Sequence, residues 1–430
     1  MSKQVLIIGA GVIGLSTAYY TARKGHRVTV LDRGTIEQEN CSYGNAGLVV
    51  PSHFVPLAAP GMVALGLKWM LRPDSPFYVK PRFDMDLLGW GIKFWRAANA
   101  GHVSRSAPLL RDLNLASRRC FEELAELTGN AFRLEKKGVL CLCKTERRLE
   151  EEARTAGRAR QLGLNVEILS ARQAMDLDPQ VRLDIVGAVY FRDDCHLIPA
   201  LFMAALKQQL VKLGVKFLWQ TELTGWRLNG HSIAAVRTAK DEFMAEEYVL
   251  CGGSWSPVAA RELRLILPMQ AGKGYNLTLP KPRQLPTIPA ILTEARVAVT
   301  PMGSSLRFGG TMEIAGLNEN INPVRVQGII KSVPKYYPDF NAQDFDGIKP
   351  WCGLRPCSPD GLPYVGRTAR FPNLSIASGH AMMGLSLGPI TGKLMAEILS
   401  GERPSIDIRL LDPDRYAGLP ATSRSAGGLT

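Results

Sequence analysis

Nowhere in the 430-residue sequence do two cysteines stand in C-x-x-C spacing; the eight are Cys41, Cys120, Cys141, Cys143, Cys195, Cys251, Cys352 and Cys357. A thioredoxin-like redox pair or a zinc ribbon would need that spacing, so neither is expected and no metal site is assigned. No apolar stretch reaches the ~18–20 residues of a spanning helix. The apolar run at residues 5–8 is broken at once by Gly9, Gly11 and Gly14, too soon for the core of a secretory signal. A reducing cytoplasm without disulfides is the expectation. Negative charge is also short: Asp+Glu number 39 against 52 Lys+Arg, a net charge of +13. Such an excess favours an anionic partner, whether nucleic acid, a membrane surface, an anionic cofactor or an acidic substrate. The sequence has no nucleic-acid module and no Arg/Lys stripe, which sets the first aside. Hydrophobic residues at 46% and charged residues at 21% exclude a disordered chain. The length suits two or three domains, or two that interleave.

What is present begins at the N-terminus. Residues 4–8 (Gln-Val-Leu-Ile-Ile) read as a short buried parallel strand. Gly9-Ala-Gly11-Val12-Ile13-Gly14 follows directly. A helical stretch at 15–24 comes next, then a second strand at 27–31 that ends in Asp32 and Arg33. Strand, G-x-G-x-x-G, helix, strand, acid is the complete dinucleotide-binding context. Gly9 permits the tight turn, Gly11 lets the backbone approach a pyrophosphate, and Gly14 lets the helix lie close to the strand. The helix start offers unpaired N–H groups and partial positive charge to phosphates. Asp32 stands where a carboxylate accepts from ribose hydroxyls, which argues against NADP. This unit does not separate NAD from FAD.

Residues 34–60 lack regular pattern and hold Ser42-Tyr-Gly-Asn45-Ala46-Gly47, small residues suited to backbone lying against a flat ligand. Residues 61–71 and 87–95 read as two short apolar helices joined by a proline-rich turn. They carry Trp69, Trp90 and Trp95 amid Lys68, Arg72, Lys80, Arg82, Lys93 and Arg96. That composition suits an interfacial membrane contact, and equally core helices with snorkelling lysines. Cys141 and Cys143 share one face of a strand and read as buried thiols. A charged helix starts at Thr145 and stops at Gly163; a second spans 197–213, and a strand follows at 215–219. Tyr248-Val-Leu-Cys251-Gly252-Gly253 reads as a strand returning to the nucleotide unit. Residues 273–312 read as antiparallel strands with a hairpin turn at 302–305. A last strand at 374–377, the loop Ser378-Gly379-His380-Ala-Met382-Met383-Gly384 and a helix over 385–399 return again. The tail from about residue 418 is expected to be disordered.

Five of these signals, in this order, carry a resemblance. They are Gly9 to Gly14 with Asp32; Ser42 to Gly47; Cys251-Gly-Gly-Ser-Trp255; Gly353-Leu-Arg355-Pro with Ser358-Pro-Asp-Gly361; and Gly379-His380 before the last helix. Together they resemble the FAD-dependent amine and amino-acid oxidoreductases of the D-amino-acid oxidase and glycine oxidase superfamily. Within it, Asn45-Ala-Gly, Ala58-Ala-Pro-Gly61, Lys68-Trp-Met70, Lys273-Gly-Tyr275 and Gly310-Thr-Met-Glu-Ile314 are similar to bacterial D-amino acid dehydrogenase small subunits. The resemblance covers about residues 3–416. It implies an α/β, interleaved two-domain flavoprotein. Residues 1–50, part of 145–256 and 350–417 would form a Rossmann-like FAD-binding domain. Part of 51–144 and 257–349 would form a substrate domain with a large mixed antiparallel sheet. Non-covalent FAD is implied, since the loop before the last helix holds no cysteine. The implied activity is an FAD-dependent dehydrogenase that oxidises an amino acid, a D-amino acid favoured. Its electrons would pass to a quinone or respiratory acceptor, with the cytoplasmic protein peripheral on the inner membrane. An oxygen-using oxidase, a D-hydroxyproline dehydrogenase and a non-catalytic FAD electron-transfer subunit stay open as alternatives. The oligomeric state is not read from the sequence.

The resemblance places FAD along Gly9, Gly11, Val12, Ile13, Gly14, Asp32, Arg33, Ser42, Asn45, Ala46, Gly47, Cys251, Gly252, Gly253, Gly353, Arg355, Gly379, Met382, Met383, Gly384 and Leu385. The chemistry needs a substrate Cα–H held over the flavin. Arg355 is the candidate for the substrate carboxylate, through a planar bidentate contact. Tyr275 would add a hydroxyl donor to it, with His53 and Met382 lining the substrate pocket. Backbone N–H groups at Met383, Gly384 and Leu385 would stabilise charge on the reduced flavin, as an oxyanion hole does. His380 lies beside that point as a further catalytic candidate, or as a polar residue held at a turn. No general base is demanded, because a neutral amine needs only to lose a hydride. The pH–rate limb is therefore expected from the substrate ammonium.

Overall fold

Val5, Leu6, Ile7 and Ile8 are all buried, and a strand that is apolar on both sides belongs inside a sheet. In the computed structural model, which describes residues 1–37, 40–70 and 75–417, that is where it lies. The chain runs β1 (Gln4–Ile8), α1 (Val12–Arg23), β2 (Arg27–Leu31), β3 (Leu48–Val49), α2 (Met62–Met70), β4 (Phe77–Val79), α3 (Met85–Ala97) and α4 (Ala100–Leu127). It continues through β5 (Val139–Cys143), α5 (Glu146–Gln161), β6 (Val166–Ser170), α6 (Ala171–Leu177), β7 (Gly187–Phe191), β8 (Cys195–His196), α7 (Pro199–Lys212) and β9 (Lys216–Leu218). After β10 (Gly225–Asn229), β11 (Ser232–Arg237) and β12 (Glu242–Phe243) come β13 (Glu247–Leu250), α8 (Ser256–Glu262), β14 (Gln270–Leu279), β15 (Ala290–Leu292), β16 (Val297–Met302) and β17 (Ser305–Ile314). The last elements are α9 (Pro323–Ser332), β18 (Trp351–Cys357), β19 (Tyr364–Arg367), β20 (Leu374–Ser378) and α10 (Gly384–Leu399).

Among the described residues two large sheets form. The first has the order β19-β20-β13-β1-β2-β9, parallel except for the edge pair β19–β20. The second has nine strands: β18-β14-β17-β16-β15-β5-β7-β6, with β4 pairing β17. It is antiparallel except where β15 meets β5 and β17 meets β4. The chain enters each sheet more than once. Segments at 4–31, 216–218, 247–250 and 364–378 build the first, and segments at 77–79, 139–191 and 270–357 build the second. The two-stranded ladder β3–β8 pairs Leu48 with His196 and Val49 with Cys195.

Several local readings change. The link between the two apolar helices is more than a turn, because β4 within it pairs with β17. Trp90 faces inward: it is buried, its Nε1–H donates to the Cys357 carbonyl at 2.9 Å, and its ring stacks on Phe94. The second helix starts at Pro199 and not at 197, since Pro fits the first helical position, where its missing N–H costs nothing. Arg72 and the tail at 418–430 lie outside the described residues.

Helices α1 and α10 lie against one another almost backbone to backbone. A Cβ on Gly392 would sit 2.4 Å from the Ser16 carbonyl oxygen, and one on Gly388 would sit 2.9 Å from Val12. Behind them a buried polar chain ties three segments together. The Ser386 hydroxyl donates to Asn114 Oδ1 at 2.6 Å and accepts from the Val50 N–H at 3.0 Å. The Ser358-Pro-Asp-Gly361 motif has a structural task as well. Asp360 pairs with Arg415 at 2.7 Å, Arg415 lies over the Tyr364 ring at 3.9 Å, and the Asp360 carbonyl faces His102 Nε2 at 2.8 Å. Burial pushes the Asp360 carboxyl up, but the charge and hydrogen bonds of Arg415 outweigh it and hold the group below its usual range.

Breaking this pair by Asp360→Asn leaves a buried guanidinium without its partner and should cost about 3–5 kcal/mol. Denaturant unfolding of the two proteins measures it. Because the folded-state value of Asp360 is depressed, the contribution is full above the carboxyl's unfolded value near 3.8 and is lost as pH falls below it. The wild type should therefore lose stability on acidification more steeply than the variant; equal slopes would refute the assignment.

Candidate active site

The strand–glycine–helix unit is built by close backbone approach. Gly9 has φ +111°, and a Cβ there would lie 2.4 Å from the Cys251 carbonyl oxygen; one on Gly14 would lie 1.8 Å from the Gly9 carbonyl oxygen. Only hydrogen fits at either position, and the start of α1 is thereby pressed against the ends of β1 and β13. Cys251 donates its N–H to the Ile8 carbonyl at 2.8 Å, and burial pushes its thiol up to about 12. Asp32 braces the turn from the end of β2. Its Oδ2 accepts the Ala10 N–H at 2.6 Å and its Oδ1 the Gly34 N–H at 2.7 Å, and each oxygen keeps a further lone pair. Arg33 stacks its guanidinium over Trp255 at 3.9 Å. The Ser42 hydroxyl accepts the Val12 N–H at 3.0 Å, at the positive end of α1.

One cavity of about 1000 Å³ is lined by this unit and by the second sheet together. That is the upper end of the range for ligand pockets and leaves room for an extended dinucleotide with a small molecule beside it. Of the residues singled out in the sequence, Gly9, Gly11, Val12, Ile13, Asp32, Arg33, Ser42, Asn45, Ala46, His53, Cys251, Gly252, Gly253, Tyr275, Gly353, Arg355, His380, Met382, Met383, Gly384 and Leu385 line it. Gly14, Gly47 and Gly379 stand behind the wall, where they set backbone shape. Gly47 and Gly379 have φ +78° and +80°.

Arg355, on β18, lines the cavity without a carboxylate in ion-pair distance among the described residues. Its Nη1 donates to the Thr311 carbonyl at 2.6 Å. Its guanidinium lies across Gly274 of β14, where a Cβ would come within 2.1 Å of it. A cation in a cavity, oriented by one neutral acceptor, keeps its remaining donors for an anion.

Three sequence expectations need correction here. Tyr275 does not keep a free hydroxyl: it donates to Glu313 Oε2 at 2.6 Å and accepts the Asn322 N–H at 3.3 Å. Of its two readings, His380 matches the polar residue held at a turn. Its Nε2 meets Thr391 Oγ1 at 3.0 Å, its buried Nδ1 has no partner among the described residues, and burial lowers the ring to about 3, so it stays neutral throughout the working range. Its backbone carbonyl also takes the Met383 N–H at 2.8 Å, which removes that donor from the expected oxyanion-type set and leaves the first turn of α10, at Gly384 and Leu385.

The cavity also has walls that the sequence reading missed. Arg296, from the turn between β15 and β16, has φ +55° and lies 6.0 Å from the Trp69 ring. Trp351 packs over Gly44 and Gly353, where a Cβ would approach within 2.4 and 2.2 Å. Neither stands in a recognisable motif, and the sequence carried no signal for either.

A glycine turn on a helix start, an acid at the second strand's end and one continuous cavity define a dinucleotide-dependent redox protein. The groups that hold it fit FAD: the tight cradle takes a pyrophosphate, Asp32 keeps lone pairs for a ribose, and the cavity extends past the nucleotide unit to the second sheet. The chain belongs to the FAD dependent oxidoreductase family, whose model matches residues 4–398. It is 32% identical over 420 residues to a D-amino acid dehydrogenase of Granulibacter bethesdensis, covering 96% of this chain and 100% of that one. It is also 32% identical over 425 residues to a D-amino acid dehydrogenase of Azorhizobium caulinodans, with the same coverage. Among solved structures it is similar to glycine oxidase from Geobacillus kaustophilus, with TM-score 0.78 and 23% identity over 97% of this chain and 100% of that one. This last likeness carries the fold alone.

Gly14→Ala should abolish tight FAD retention, because the added methyl forces α1 off the strand. The purified variant should carry less than a tenth of the wild-type flavin, read from the ratio of flavin to protein absorbance. A full flavin complement would overturn the cradle assignment.

Proposed function

We propose that the protein oxidises an amino acid, D-configured in preference, to the imino acid, which water then converts to the 2-oxo acid and ammonia. Electrons leave to a quinone or another respiratory acceptor. The observation that carries this reading is Arg355: a guanidinium in the cavity with no carboxylate in ion-pair distance among the described residues, seated on Gly274 and oriented by the Thr311 carbonyl. It binds a carboxylate in a fixed plane. The curated relatives named D-amino acid dehydrogenase support the substrate class and the handedness. FAD supplies the hydride acceptor when bound. Gly9, Asp32 and the start of α1 hold the nucleotide part, and the first turn of α10 offers N–H groups to negative charge gained on the cofactor. Tyr275 acts as a brace, fixing Glu313 and the Asn322 backbone behind the cavity wall.

The site of electron delivery is a membrane surface. On α3, Met85, Leu88, Ile92 and Trp95 recur at spacings of three and four and are all exposed, and Phe83 just before the helix is fully so. Lys80 and Arg96 at the two ends are exposed cations, with Lys68 on α2. An apolar helical face with basic flanks suits an anionic bilayer. No described helix is long and apolar enough to cross one. The contact would be peripheral.

Anaerobic addition of D- and L-amino acids, one at a time, should bleach the flavin with D-substrates first. Arg355→Met should lower kcat/KM about 10²-fold, chiefly through KM, as expected for losing a charge-assisted hydrogen bond worth about 3 kcal/mol. Flavin that no amino acid reduces would sink the proposal. Hydrogen peroxide formed in air at the rate of substrate loss would replace the dehydrogenase by an oxidase. In vesicle flotation, binding should require anionic lipid, and Ile92→Glu should reduce the bound fraction several-fold with flavin content unchanged. Equal flotation with neutral lipid would refute the membrane surface.

A further inference from the structure

Asp194 is a carboxylate without a purpose in the account so far. It is completely buried, in the turn before β8, and no cation is within ion-pair distance of it among the described residues. The β3–β8 ladder sets this turn opposite the loop that follows β3. There Asp194 Oδ1 accepts the Ser52 N–H at 3.0 Å, and Oδ2 accepts the Ser52 hydroxyl at 2.5 Å. The Ser52 oxygen in turn lies 3.1 Å from His53 Nδ1. His53 lines the active-site cavity, and no group among the described residues partners its Nε2. A continuous chain of hydrogen bonds thus leads from the cavity to a buried acid. Among the side chains that line the cavity, the Tyr275 hydroxyl donates to Glu313, and His380 is bonded through Nε2 to Thr391 while burial holds its ring neutral.

We propose that His53, Ser52 and Asp194 form a proton relay that deprotonates the substrate ammonium before hydride transfer. The proposal rests on the amino acid reading above. An amino acid arrives with its amine protonated, and only the neutral amine has the lone pair that expels a hydride. In the relay an ammonium N–H bond breaks and its proton joins His53 Nε2. The Nδ1 proton passes to Ser52 Oγ as the Ser52 hydroxyl proton passes to Asp194 Oδ2. One proton has moved from nitrogen to carboxylate; no electron has moved, and His53 is left neutral in its other tautomer. After product leaves, the path reverses to water in the cavity.

The surroundings suit both ends. Burial pushes Asp194 up to about 7, against the two bonds from Ser52, which pull it down. An ordinary carboxylate would be far too weak a base. Burial lowers His53 to about 4, with the Arg296 charge acting in the same direction, so the ring passes protons without holding one. The charged groups that face Asp194 are Asp193 from its own turn and Arg118 from α4; the Cys141 and Cys195 thiols also lie near it. Arg118 is engaged with Asp193 at 3.5 Å and Glu122 at 3.3 Å. Asp194 accepts a proton only when ionised, so turnover should rise as pH climbs through about 7 and be lost below it.

The test is the pH profile of kcat/KM for the flavin-loaded wild type, Asp194→Asn and Ser52→Ala, with a D-amino acid and an artificial acceptor. At pH 7.5 each variant should fall about 10²-fold, within the usual range for acid–base assistance. The limb near 7 should vanish and reappear at the pKa of the substrate's own ammonium. Above that pKa the variants should return to within a few-fold of wild type, since the amine then arrives neutral. Ser52→Ala serves if Asp194→Asn does not fold. A loss equal at every pH marks a structural role and overturns the relay, as does an unchanged profile. A wild type that no amino acid reduces is a different failure, of the substrate reading, and shows before any variant is made.

Discussion

The constraint on which the rest depends is the crossing of three backbones at Gly9, Gly14 and Cys251. A Cβ at Gly9 or Gly14 would overlap a carbonyl oxygen, so the two strands and α1 meet at hydrogen-only distance. With α1 fixed there, α10 can close on it only because Gly388 and Gly392 are equally bare. Both helix starts then face one cavity, each with unpaired N–H groups and its positive dipole end. An anionic cofactor therefore needs no dedicated cation along this wall.

The nucleotide unit was legible because its signals are local. Four buried residues of one strand, three glycines and one acid lie within about thirty positions, and each has a physical duty that only that residue type meets. The return strand at 247–250 and the α10 entry were legible for the same reason. The second sheet was less so. A run such as Gly187-Ala-Val-Tyr-Phe191 is apolar on both faces, and nothing in it says which sheet takes it; β5 joins the sheet of β14 through a distant pairing, Leu140 with Ala290 of β15, and β7 and β6 follow it through nearer ones. Side-chain roles were hardest of all. Tyr275 was read as a free hydroxyl and His380 as either a catalytic group or a polar residue held at a turn; their partners Glu313 and Thr391 come from other elements, and a group already in use looks no different in a sequence. Asp194 gave no signal, since one acid in a polar turn is ordinary until its burial is known.

The excess of positive charge divides into two kinds. Much of it is spent on exposed pairs such as Arg227 and Arg237 with Glu242, or Arg147 with Glu151 on α5, which contribute little each. A smaller share does specific work: Arg355 in the cavity, Arg415 inside the fold, and the cations flanking the apolar face of α3. Net charge alone could not distinguish these, because what matters is whether an acid lies within reach.

The interleaved strand order has a bearing on how the protein is made. On a ribosome, β1 and β2 emerge first, but the open side of β1 waits for residues 247–250, and that strand waits in turn for residues 374–378. Until then the apolar run at residues 5–8 has an unpaired edge, the kind of surface on which nascent chains stick to one another. The wall supplied by α10 is completed only when nearly 400 residues have been synthesised. Flavin capture is therefore a closing event, and chains interrupted before α10 is complete should collect as colourless, aggregation-prone protein rather than as shortened enzyme.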